Sequence, residues 1–158
     1  MQFRLTYQEI SDLIARKAGR SIPMTYGGPH TVRIGIDVNV LFKTANIGLD
    51  LTVDNVDENG NITLSYNGGM GIDFMIRTAL GHAQNQPGGD LLELLPDNRI
   101  LLNLSKGVQR AAESGAAEGQ QVGSLFNYIQ LKDISFDEQF AIVDFVPRSG
   151  QWSVVSGE

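Results

Sequence analysis

The sequence predicts an α+β protein in which a curved antiparallel β-sheet packs on two or three amphipathic helices. Three observations carry that expectation. Val32, Ile34, Ile36, Val38, Val40 and Phe42 alternate with Arg33, Asp37, Asn39 and Lys43, and period-two alternation with one apolar side marks a half-buried antiparallel strand. Tyr7 to Ala18 places Ile10, Leu13, Ile14 and Ala18 on one face at helical spacing. Asp57-Glu58-Asn59-Gly60-Asn61 contains Asn-Gly between two apolar runs, a hairpin signal because both residues tolerate positive φ.

In chain order, Phe3 and Leu5 make a short extended entry. Thr6 and Glu9 have the spacing of a capping box, so a helix starts at Tyr7, and Gly19 stops it after Ala18. Ile22 to Tyr26 reads as a short strand, with Pro23 near its start where a missing amide is tolerated. Gly27-Gly28-Pro29-His30 turns the chain into the alternating run, which spans about 40 Å if extended and therefore has to twist; Gly35 is the place for a bend. Ile47, Leu49, Leu51 and Val53 repeat the pattern, and Ile62, Leu64 and Tyr66 return it.

Asn67-Gly68-Gly69-Met70-Gly71 opens a second helix with Ile72, Met75, Ile76, Ala79, Leu80 and Ala83 on one face and Phe74 beside them. Gln86-Pro87-Gly88-Gly89 breaks it. Leu91 to Leu95 is apolar without a clear period, and Ile100, Leu102 and Leu104 alternate as a strand. Residues 105–124 carry glycines at 107, 115, 119 and 123, which favour a mobile loop over a weak helix across 108–117. A last hairpin runs from Asn127 to Phe136, turns at Asp137-Glu138 and returns from Phe140 to Val146. The apolar phase slips by one residue before each Asp-Glu turn: Leu51 and Val53 are odd but Val56 is even, and Leu131 is odd but Ile134 and Phe136 are even. A β-bulge produces such a slip.

With 158 residues the chain suits one domain, placed at 1–147 with a tail at 148–158. It has no cysteine, which removes disulfides, thiolate metal sites and thiol catalysis. The net charge of −6 argues against nucleic acid as a partner, because phosphate binding needs clustered Lys and Arg. No apolar run reaches the length of a membrane span, so integral membrane association is not expected. Met1-Gln2-Phe3-Arg4 turns polar at once, no secretion signal is read there, and a cytoplasmic location is expected.

Four motifs bear on chemistry. Asn55 to Ile62 fits the first eight positions of a calcium loop, but Tyr66 stands where the bidentate Glu belongs, so the stretch reads as a turn. Gly68-Gly69-Met70-Gly71 lacks the third glycine of a dinucleotide fingerprint, and Asp73 in the first turn would repel phosphate. His30 and His82 have no Ser, Asp or second His at triad or ligand spacing. The carboxylate pairs Asp57/Glu58 and Asp137/Glu138 lie in turns, where acids are solvated, whereas acid–base catalysis needs a desolvated carboxyl. Neither a catalytic residue nor a metal or cofactor is expected, and the chain reads as non-enzymatic.

What remains is apolar surface. Met70, Ile72, Phe74, Met75, Ile76 and Leu80 exceed what one sheet contact requires, and methionine suits a soft lining. The order of elements across Thr31–Phe42, Ile47–Tyr66 and Ile129–Val146 resembles the tubular lipid-binding (TULIP-like) group. That resemblance implies a strongly curved sheet wrapped around a helix and an apolar channel, and it transfers no site residue. The expected partner is therefore a lipid or other apolar small molecule, lined by Ile72, Phe74, Met75, Ile76 and Leu80 of the helix with Ile36, Val38 and Leu51 of the sheet. The alternative is a protein–protein interaction or oligomerising scaffold domain with a solid core, suggested by long strands whose edges can pair.

Overall fold

A computed structural model of the chain describes residues 1–19, 22–40, 42–67, 73–74, 76–78, 81, 89–113 and 115–148. Strand β1 (Gln2–Thr6) leads into helix α1 (Tyr7–Ala18), followed by β2 (Met24–Gly28), β3 (Thr31–Val40), β4 (Lys43–Val56) and β5 (Asn61–Asn67). The described residues between 73 and 81 are helical. After the short 3-10 turn Gly89–Leu91 come β6 (Leu92–Leu95), β7 (Arg99–Asn103), α2 (Leu104–Glu113), α3 (Ala117–Leu125), β8 (Ile129–Phe136) and β9 (Phe140–Pro147). The architecture is α+β, with every strand pair antiparallel. Two sheets form, one with order β2-β3-β4-β5-β7-β6 and one with order β1-β9-β8.

The local chemistry explains the best-read elements. Thr6 Oγ1 accepts from the Glu9 amide and Glu9 Oε1 accepts from the Thr6 amide, both at 3.1 Å, closing the capping box. Gly19 takes φ 76° and donates to Ala15 O at 2.9 Å, ending α1 with a left-handed residue. Across β3 and β4 the polar side is paired too: Arg33 lies opposite Asp50 and binds it at 2.8 Å, and Asp37 lies opposite Asn46 at 2.9 Å.

The other side of the six-stranded sheet is apolar and carries two clusters. Leu49, Tyr66, Ile76 and Ile100 form one, with Ile34, Ile36, Leu51 and Leu64 packed against it. Val53 and Ile62 form the second with Leu131 of the three-stranded sheet, joined by Ile134, Phe136, Val143 and Phe145. The small sheet thus lies over one end of the large one and shares its core. A backbone bond from the Phe136 amide to Pro29 O, 2.7 Å, ties the edge strand β8 to the β2–β3 turn.

Both expected bulges are present. The β4–β5 register shifts between Val53 and Asn55, and the β8–β9 register shifts between Leu131 and Asp133. The following turns use one device. Asp57 Oδ1 accepts the amides of Asn59 and Asn61, each at 2.9 Å; Asp137 Oδ1 accepts those of Gln139 and Phe140 at 2.8 and 2.7 Å. The calcium-like spacing at Asn55–Ile62 is therefore a hairpin turn whose carboxylate is taken up by backbone donors.

Two expectations are corrected. Residues 105–113 and 117–124 form not a loop but most of a helical hairpin, α2 and α3. Asn103 caps the first helix by accepting the Lys106 amide at 2.9 Å, and Gly115, at φ 82°, provides the reversal. Gly123 is a packing residue: a Cβ there would meet Ala112 Cβ at 2.6 Å. The strand read over Ile100–Leu104 also ends one residue early, because Leu104 starts α2. Residues 149–158 of the expected tail lie outside the described residues.

Candidate functional site

The helical hairpin α2–α3 is held in place from three directions. Its start is bonded to the β4–β5 turn, where the Leu104 amide donates to Gly60 O at 3.1 Å. Its outer side is pinned by Asp90, which pairs with Arg110 and, at 3.1 Å, with Lys106. Hydrogen bonds from Arg110 and then Lys106 hold the Asp90 carboxyl well below the usual carboxylate range. Its end passes into β8 through Phe126, whose ring meets Phe145 edge-on at 5.6 Å. Arg148, just after β9, donates from Nε to Phe126 O at 2.8 Å and from its amide to Tyr128 O at 2.9 Å.

Between this hairpin, the β4–β5 turn and the start of β8 lies a cleft of about 530 Å³. Its apolar wall is Leu104, Val108 and Ala112 of α2 with Phe126 and Leu131. The three α2 residues recur every fourth position and so share one helix face. Its polar wall includes Asn59, Ser105, Gln109, Asn127, Gln130 and Arg148. Leu131 is 3% exposed and also belongs to the core between the sheets. The cleft is therefore floored in part by the core between the sheets and flanked by a short helix pair.

Of the eight residues expected to line a ligand channel, Phe74, Ile76, Ile36 and Leu51 have described side chains. Ile76, Ile36 and Leu51 do come together, but as packed core: Ile76 is 3% exposed against Leu49, Tyr66 and Ile100. Phe74 points away from that cluster and is 74% exposed. Val38 lies on β3 with its side chain outside the described set, and Ile72, Met75 and Leu80 lie outside the described residues. The helical segment is anchored to the sheet by a polar contact the sequence did not reveal. Tyr66 OH donates to Asp73 Oδ1 at 2.5 Å, and Arg77 Nε donates to the same carboxylate at 3.3 Å. Burial first and the Asp73 carboxylate second push the Tyr66 phenol up to about 12.

Of the two histidines, His82 lies outside the described residues, and His30 Nε2 sits 3.5 Å from Asp133 Oδ2 on the surface. Among the described residues no group of three His, Asp or Glu side chains converges as a metal site would require. No helix among them is long and apolar enough to cross a membrane.

The cleft residues were missed because glycines at 107, 115, 119 and 123 outweighed a weaker signal. That signal was the four-residue spacing of Leu104, Val108 and Ala112 after a capping Asn103. No protein-family model, no curated protein and no solved structure matches this chain.

Proposed function

We propose that this chain is a non-enzymatic binding domain for an apolar or amphipathic small molecule, held in the cleft under α2 and α3. The observation that carries the proposal is the cleft itself. Its volume of about 530 Å³ falls in the range of about 300–1,000 Å³ typical of small-molecule sites, and such sites combine an apolar lining with a few polar groups that orient the ligand. Here Leu104, Val108, Ala112, Phe126 and Leu131 supply the apolar part of the lining, interleaved with Asn59, Ser105, Gln109, Asn127 and Gln130. The resemblance of the strand and hairpin order to the tubular lipid-binding group supports the same ligand class.

The test is direct. Purified protein is examined by native mass spectrometry with organic extraction, then titrated with a fluorescent fatty acid. Bound ligand or saturable uptake is expected, and Val108→Trp, which fills the cleft, weakens uptake at least about tenfold. Absence of both a co-purifying ligand and uptake by the unaltered protein contradicts the proposal.

A further inference from the structure

The wall of the cleft is electrostatically unlike the rest of the chain. The protein carries 18 acidic and 12 basic residues. Yet the residues that line the cleft include no carboxylate, and Arg148 is their one ionisable side chain. Arg148 is partly buried. Its Nε is fixed on Phe126 O at 2.8 Å, and it forms no ion pair among the described residues. A guanidinium held by one nitrogen keeps its remaining N–H donors in a planar fork, a geometry suited to carboxylate and phosphate oxygens. Arg110 and Lys106, on the same helical hairpin, are by contrast both committed to Asp90.

We infer that the ligand of this cleft is a single-chain amphiphile with an anionic head, its tail on Leu104, Val108 and Phe126 and its head on Arg148. The inference rests on the binding role proposed above and adds the charge of the ligand to it. A fixed cation in a partly desolvated wall attracts a ligand group of opposite sign, and a lining without a carboxylate adds no repulsion there although the chain as a whole is acidic. The head group is a carboxylate or a phosphate monoester, since both offer paired oxygens to the fork.

The experiment is equilibrium dialysis of the full chain against radiolabelled dodecanoate, monododecyl phosphate and dodecanol, the two anions below their micelle-forming concentrations and the alcohol below its solubility limit. The two anions are expected to bind at least about tenfold more tightly than the alcohol, and their ranking identifies the head group. Arg148→Gln brings the anions to the affinity of the alcohol measured on the same variant, and Arg148→Lys restores part of the preference. Because the three ligands are first compared on the unaltered protein, a variant that fails to fold does not decide the outcome. Equal binding of alcohol and anions overturns the inference and leaves the binding role standing. A preference that survives Arg148→Gln overturns it as well. Binding of none of the three contradicts both.

Discussion

At the scale of single residues, the fold depends on polar side chains that satisfy backbone or phenol groups at fixed points. Tyr66 is the clearest case. It is 4% exposed, and its hydroxyl donates to Asp73 at 2.5 Å. Its ionisation is raised from 10 to about 12, so the folded state holds the phenol proton more tightly than the unfolded state. The stabilisation is complete below pH 10 and is lost as pH rises through about 12. Denaturant unfolding across that window is expected to show the loss, and Tyr66→Phe is expected to reduce that pH dependence, leaving the part due to Tyr7, whose phenol is pushed up by burial as well. Asp57 and Asp137 are a second case. Each carboxylate accepts two backbone amides at the turn of a bulged hairpin. Replacing either by Ala leaves those donors without their partner and is expected to cost about 1–2 kcal/mol in urea unfolding, whereas Asn, which keeps an acceptor oxygen, costs less.

At the scale of elements, the α2–α3 hairpin is decided by a contact between two small residues. Gly123 lets α3 approach α2 so closely that an added Cβ would lie 2.6 Å from Ala112 Cβ. In an exposed helix Gly→Ala stabilises by about 1 kcal/mol. Here Gly123→Ala is expected to destabilise by about 1–3 kcal/mol, because the helices have to separate. Adding Ala112→Gly returns the space and recovers part of the loss, which a double-mutant cycle measures. The same contact explains what the sequence concealed. Local signals such as the Thr6/Glu9 cap, the Gly19 stop, the Asn59-Gly60 turn and the two phase slips act within a few residues and were legible. The role of Gly123 depends on Ala112, eleven residues earlier, and no local rule distinguishes a packing glycine from a loop glycine. For that reason the roof of the cleft, and Arg148 in its wall, were not anticipated, while Ile36, Leu51 and Ile76, expected as ligand lining, pack together as core in the structure.

At the scale of the whole molecule, two sheets share one apolar interior and the cleft opens where that interior meets the helical hairpin. Leu131 links the two, because it is buried beside Val53 and Ile62 and also lines the cleft. Leu131→Ala is expected to cost about 2–5 kcal/mol of stability, since it leaves a cavity in the inter-sheet core. The most direct test of the central claim is an amide-resolved NMR titration of the unaltered protein with dodecanoate. Shifts concentrated at residues 59–60, 104–112, 123–131 and 148 are the expected result. Shifts confined to the β3–β4 face and residues 73–81, or no saturable shifts at all, would contradict it.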